Sequence, residues 1–152
     1  MEVGSIMTKR VVTVALDDDM QTIIHIFENV RFHHLLVVED GKLVGVISDR
    51  DVLKVSSPFL NTVCETLRDS AVLKKRVHQI MTRKPVTISS GASLEEAVRL
   101  LLRKSVSCLP VLSSSGTVEG IVTWKDLIKT YMAERQREDA QLGKRKSEIG
   151  QE

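Results

Sequence analysis

Apolar and polar positions follow two rhythms along this chain, and the same succession of rhythms occurs twice. Val11 to Val14 is a short apolar run. Asp19 then precedes Met20, Ile23, Ile24 and Phe27, which fall at i, i+3, i+4 and i+7, so the spacing predicts an N-capped helix with one buried face. Leu35 to Glu39 and Leu43 to Ser48 read as strands joined at Asp40-Gly41, a dipeptide suited to the positive backbone angles of a tight hairpin. A short helix from about Asp49 to Val55 closes the unit. Further on, Ser93 and Glu96 read as a capping box ahead of Leu94, Ala97, Val98 and Leu101, the matching apolar face. The order strand, helix, strand, strand, helix is therefore read twice.

Residue by residue the two units align. Ile6-Met7-Thr8 is answered by Ile80-Met81-Thr82, Val11-Val12-Thr13-Val14 by Pro85-Val86-Thr87-Ile88, and Leu35-Leu36-Val37-Val38 by Leu109-Pro110-Val111-Leu112, at a constant offset of about 74 residues. One inserted residue near Ser115 then brings Gly41 onto Gly116 and Gly45 onto Gly120. The division read from this is repeat 1 over 1–55, a connector over 56–76, repeat 2 over 77–131 and a charged extension over 132–152. A helix between strands favours a right-handed crossover and a small mixed sheet with both helices on one face, an α+β arrangement. A three-stranded sheet is too small to stand alone. The two units are therefore expected to pack sheet against sheet about a pseudo-two-fold axis, and the resulting flat module to form a homodimer for the same reason.

Composition narrows the chemistry. With 152 residues and 42% hydrophobic content the chain can bury a real core, but aromatic residues make up only 3%, so a flat ligand would meet aliphatic walls and backbone. That argues against an RNA-stacking surface. The 22 basic and 20 acidic residues balance to +2, which gives no nucleic-acid or membrane surface. No apolar run approaches the length that spans a bilayer, and Met1-Glu2-Val3-Gly4 lacks the regions of a signal peptide, so the chain reads as cytoplasmic. Cys64 and Cys108 share no close spacing and read as ordinary thiols. In the connector, Arg68, Lys74, Lys75 and Arg76 read as a solvated face beside a short helix, and the extension as a frayed helix or disordered tail.

The chemistry lies where each last strand meets its helix. Gly45-Val46-Ile47 runs into Ser48-Asp49-Arg50-Asp51, and Gly120-Ile121-Val122 into Thr123-Trp124-Lys125-Asp126. A hydroxyl three residues before a carboxylate is a helix-capping signature, and it is also a way to present a carboxylate at a helix mouth, where it can take the two hydroxyls of a ribose. The doubling at equivalent places favours the second use. Arg50 and Lys125 oppose the dipole of the helix they open, which is consistent with contact to phosphate. Adjacent His33 and His34 start a strand and point to opposite faces, a poor arrangement for one metal ion; either one of them faces the pocket and touches phosphate, or both are ordinary residues at a strand start. There is no P-loop, dinucleotide fingerprint, HExxH or GxSxG, so no catalytic assignment follows.

These motifs, in this order and twice over, resemble a tandem pair of CBS domains, the cystathionine-beta-synthase type repeat whose paired form is called a Bateman module. The resemblance covers about Val3 to Val55 and Val77 to Tyr131. It implies a stand-alone regulatory module, not an enzyme, that binds an adenosyl compound such as AMP, ADP, ATP or S-adenosylmethionine as regulatory ligand, with no catalytic cofactor. It further implies that Asp126 binds ribose hydroxyls, that Thr123 binds ribose or phosphate, and that Pro85, Val86, Thr87 and Ser107, Cys108, Leu109, Pro110 line the adenine. In repeat 1 the matching positions are Val12 and Thr13, His33 and His34, and Ser48 and Asp51. Leu36 departs from the family's proline, which makes the second repeat the better match. A purely structural module, with tetrads that only cap helices, is the rival reading, and an S-adenosylmethionine sensor is another. Partners expected are an adenosyl small molecule, a second copy of the chain and an effector protein that the sequence does not name.

Overall fold

The computed structural model describes the backbone of residues 1–149 and side chains through residue 142. The chain opens with a one-turn helix, α1 (Val3–Ile6), too short to show a helical period in the sequence. Repeat 1 then runs β1 (Thr13–Val14), α2 (Met20–Asn29), β2 (His34–Glu39), β3 (Lys42–Ser48) and α3 (Asp49–Val55). The connector holds α4 (Leu67–Ala71) and a single 3-10 turn over Val72–Lys74. A second one-turn helix, α5 (Val77–Ile80), leads into β4 (Thr82–Arg83), β5 (Ile88–Ser89), α6 (Leu94–Lys104), β6 (Cys108–Leu112), β7 (Val118–Thr123) and α7 (Trp124–Ile149).

Local chemistry explains the element boundaries. Asp19 starts α2 by accepting the Thr22 N–H at 2.9 Å, and that bond holds its carboxyl below the usual carboxylate range. Ser93 does the same for α6 with the Glu96 N–H at 3.1 Å. Between β2 and β3, Asp40 and Gly41 adopt φ of +49° and +75°, the left-handed pair that a tight hairpin demands. The helix α7 continues through the charged segment, the helical of the two alternatives read for it, and residues 131–142 are all exposed. The last three residues of that segment, 150–152, lie outside the described residues.

Two sheets result. One has the order β1-β2-β3-β4 and the other β5-β6-β7. In each, the first pair is parallel and the next antiparallel, with a bulge at Val37/Val38 and again at Val111/Leu112. Each sheet carries its own aliphatic core, around Met20, Ile23, Leu35 and Ile47 in one and Ala97, Leu101, Leu109 and Val122 in the other. A third cluster, Leu36, Val46, Cys108 and Ile121, joins the sheets face to face.

The pseudo-two-fold relation includes an exchange that the strand pattern did not show. The lead segment of each repeat packs on the other repeat. Val3, fully buried, belongs to the core of repeat 2, and Val77, fully buried, to that of repeat 1. The Val3 N–H donates to the Ala92 carbonyl and the Val77 N–H to the Asp18 carbonyl, both at 2.9 Å. Thr8 bridges to Ile121 in β7, and Thr82 in β4 pairs with Val46 in β3. Gly45 and Gly120 sit where these segments cross: a Cβ on Gly120 would lie 2.8 Å from the Thr8 carbonyl oxygen, and one on Gly45 3.0 Å from that of Thr82. Closeness of backbone to backbone is thus the reason for glycine at both places.

Candidate functional site

Each repeat presents its carboxylate at the end of its last strand. Ser48 caps α3 with a complete capping box: its hydroxyl accepts the Asp51 N–H at 3.2 Å, and Asp51 Oδ2 accepts the Ser48 N–H and hydroxyl, both at 2.8 Å. In repeat 2, Asp126 Oδ2 accepts the Thr123 N–H at 2.8 Å and the Thr123 hydroxyl at 2.7 Å. The remaining oxygens differ. Asp51 Oδ1 lies 3.9 Å from the Lys54 ammonium, whereas Asp126 Oδ1 is reached by the Thr8 hydroxyl of the opposite repeat at 3.4 Å. Beside Asp126 is an open cavity of about 440 Å³ lined by Ser5, Ile6, Thr8, Asp126, Lys129, Thr130 and Ala133.

The expected adenine wall of repeat 2 is assembled from two segments. Pro85, Val86 and Thr87 run half-buried into β5, and Cys108, Leu109 and Pro110 are buried in β6, with Ser107 exposed just before them. Val12, half-buried, and Thr13, exposed, hold the matching place in repeat 1. One substitution separates the two walls. The Leu36 N–H donates to the Val12 carbonyl at 3.1 Å, but Pro110 has no N–H, so the Val86 carbonyl at the corresponding place lacks that partner.

The histidines take separate roles. His33 Nδ1 lies 2.7 Å from Asp49 Oδ2 at the surface, while His34 Nε2 lies 2.9 Å from the Ser107 hydroxyl of the other repeat. Burial pushes the His34 imidazole below its ordinary range, with Asp49 opposing the shift. Burial also raises the Cys108 thiol to about 12, and the charge of Asp51 adds to this, so it is an unreactive wall. Arg50 and Lys125 are exposed on the first turns of α3 and α7, and Lys125 does not line the cavity. Among the described residues no group of three His, Cys, Asp or Glu side chains comes together to hold a metal ion. The sequence pattern passed over Thr8, Lys129 and Thr130. Thr8 belongs to the repeated Ile-Met-Thr, but without the exchange of lead segments nothing placed it beside Asp126.

The family model for the CBS domain matches residues 3–58 and 77–133. A CBS domain-containing protein of Dictyostelium discoideum is 37% identical over 128 residues, which is 83% of this chain and 88% of that protein. Among solved structures, CBSX2 in complex with AMP superposes with a TM-score of 0.73 at 27% identity, covering 88% of this chain and 98% of that one; CBSX2 is from Arabidopsis thaliana. A CBS domain pair in complex with 5′-methylthioadenosine and S-adenosylmethionine gives 0.71 at 25% identity, over 86% and 99%.

Proposed function

The chain belongs to the CBS domain family, which it matches twice in tandem, and on that premise we propose that it is a regulatory CBS pair binding an adenine nucleotide, AMP, ADP or ATP, in the cleft at Asp126. One observation carries the reading. Asp126 has one oxygen saturated by Thr123, while the other has, among the described residues, only a long contact to Thr8, and Thr8 and Asp126 both line an open cavity. A capping residue alone has no need of that second oxygen, whereas a ribose diol donates to one. The Val86 carbonyl, without the partner that Val12 has, supplies an acceptor for the adenine amino group, and Thr123 stands beside the ribose. AMP in the CBSX2 complex and the adenosyl ligands of the other pair agree with this class of ligand.

The first cleft, with Ser48, Asp51, Arg50, Val12, Thr13 and His34, is the second place for such a ligand. Its capping box is complete and its carboxylate is partly engaged by Lys54, which favours the structural reading there. Signalling is by population shift: the nucleotide favours one arrangement of the repeats by its difference in affinity between two states. A homodimer is supported by Leu53 and Ile128, equivalent positions on α3 and α7 that are 72% and 60% exposed. An effector protein then reads the arrangement.

Thermal unfolding with millimolar AMP, ADP, ATP, S-adenosylmethionine and NAD tests the reading. A ligand at about 100 times its dissociation constant adds about 2.7 kcal/mol. The expected result is a raised midpoint with an adenine nucleotide that is lost in Asp126→Ala, beyond the loss of about 1 kcal/mol that a capping role alone would give. No shift with any adenosyl compound would leave the structural module as the better account.

A further inference from the structure

Resting on the adenosyl reading, we infer that the cavity beside Asp126 is an anion subsite, with Lys129 as its cation and Thr8 as its hydroxyl donor, and that it makes the second cleft selective for a 5′-phosphorylated ligand. Asp126 and Lys129 are three residues apart on α7 and both line the cavity. Residues so spaced are neighbours on one helix face, with Cβ atoms about 5–6 Å apart. A ribose carries its diol and its 5′ substituent at opposite ends of one ring, a comparable span. A carboxylate and an ammonium set at that spacing therefore read as a diol acceptor and a phosphate partner on one wall.

The hydrogen bonds divide the labour further. The hydroxyl protons of Ser5 and Thr130 are committed to helix carbonyls, on Glu2 at 2.6 Å and on Asp126 at 2.9 Å, so these residues offer lone pairs to ligand hydroxyls. The Thr8 hydroxyl reaches Asp126 at 3.4 Å, beyond the ordinary O–H···O range, and its proton can turn to a phosphate oxygen at little cost. Among the described residues Lys129 has no carboxylate within salt-bridge distance, whereas its counterpart Lys54 lies 3.9 Å from Asp51. Lys125, the other cation of this helix start, does not line the cavity. The corresponding positions of repeat 1 replace Ser5 by Gln79, Thr130 by Val55 and Ala133 by Pro58, so the first cleft lacks the same set.

The test is calorimetric titration of the full chain with AMP and with 5′-methylthioadenosine, which shares the adenosyl group and has no phosphate. Lys129→Ala is expected to weaken AMP by about tenfold, the loss of one charge-assisted contact, and to leave 5′-methylthioadenosine and the melting midpoint unchanged. Thr8→Val weakens AMP less, and Lys125→Ala and Lys54→Ala leave the tighter AMP site as it is. Equal weakening of both ligands by Lys129→Ala, or the same AMP loss in Lys54→Ala, overturns the inference. No effect of Lys129→Ala on either ligand, with both abolished by Asp126→Ala, overturns the subsite while the adenosyl reading stands. If the chain binds neither compound, the adenosyl reading falls, and inorganic pyrophosphate decides the subsite. Amide shifts at Thr8 and Lys129 that disappear in Lys129→Ala support it, and their absence overturns it.

Discussion

Gly120→Ala puts one methyl group where the two repeats touch most closely. The new Cβ would lie 2.8 Å from the Thr8 carbonyl oxygen and 2.9 Å from the Met7 sulfur. The thioether can swing aside, but the carbonyl is fixed by a reciprocal pair of backbone bonds: the Thr8 N–H donates to Ile121 at 2.9 Å, and the Ile121 N–H to Thr8 at 3.0 Å. To reach ordinary van der Waals distance the lead strand must retreat by several tenths of an ångström, which stretches both bonds at once. Overpacking of this kind costs about 1–3 kcal/mol. A central value of about 2 kcal/mol lowers the melting midpoint of a chain this size by about 4–8 °C.

Gly45→Ala is the internal comparison. Its Cβ would meet the Met81 sulfur at 2.5 Å, a flexible neighbour, and the Thr82 carbonyl oxygen at 3.0 Å, so it is expected to cost less, about 1 kcal/mol. Gly91→Ala meets nothing within 4 Å and serves as the control without a steric contact; reduced freedom of the unfolded chain makes it stabilising by up to about 1 kcal/mol. Denaturant melts of the three variants give the order directly. A Gly120→Ala protein within about 0.5 kcal/mol of the parent, a margin typical of uninvolved surface sites, or one more stable than Gly45→Ala, would refute the idea that the exchanged segment is held by backbone contact at this glycine.

Four further outcomes follow from the same contacts. In the folded chain a thiol reagent at pH 8 should label exposed Cys64 and spare Cys108, buried and raised to about 12, with both labelled on unfolding; intact mass reads this out. His34 is below its unfolded value, so between the two values the unfolded chain binds the extra proton, stability rises as pH increases through the histidine range, and His34→Gln should flatten that rise in pH-resolved melts. Glu119 has a buried Oε2 without a hydrogen-bond donor among the described residues and corresponds to Val44 in repeat 1, so Glu119→Val should raise the unfolding free energy by about 1 kcal/mol in a denaturant titration. On the proposed homodimer, glutamate at both Leu53 and Ile128 should leave a monomer in light scattering while the melting curve stays cooperative, and a parent chain that is already monomeric would refute that part of the proposal.

The sequence was most informative where periodicity or a fixed dihedral requirement was at stake. The faces of α2 and α6, the Asp40-Gly41 hairpin and the paired hydroxyl-carboxylate steps are each set by near neighbours, and they stand where the spacing put them. The strands before the helices are shorter than the apolar runs: of Val11 to Val14 only Thr13 and Val14 pair as β1, and of Pro85 to Ile88 only Ile88 enters β5. A parallel partner engages just the last residues of each run, and Pro85 has no N–H to offer. What was illegible is long-range. That Val3 and Val77 are buried in each other's repeats depends on contacts across about 74 positions, and a duplicated sequence gives the same pattern whether or not its halves exchange their first segments. Thr8 was passed over for that reason, since it reaches Asp126 only through the exchange, whereas Lys129, three residues beyond Asp126 on the same helix, lay within reach of the local pattern.

That exchange also bears on how a bound ligand could be felt. Had each repeat kept its own lead segment, a ligand at Asp126 would touch one unit and alter that unit alone. Here Asp126 belongs to repeat 2 and Thr8 to the opening of repeat 1, and the direct bond between them is the 3.4 Å contact of two residues that both line the cavity. A ligand inserted at that contact acts on both units at once, which is the condition for converting its differential affinity into a change of their relative arrangement. His34 and Ser107 form a second cross-repeat link at 2.9 Å, near the buried joint of Leu36, Val46, Cys108 and Ile121. Close packing there resists continuous deformation, so a displacement at Thr8 passes to the sheets as a whole or is absorbed by the lead segment. Gly120, where that segment rests on β7, is the point at which the two outcomes separate. On the proposed nucleotide reading, a variant that loosens Thr8 there should keep its fold, bind AMP more weakly in calorimetric titration and show smaller AMP-induced amide shifts in repeat 1.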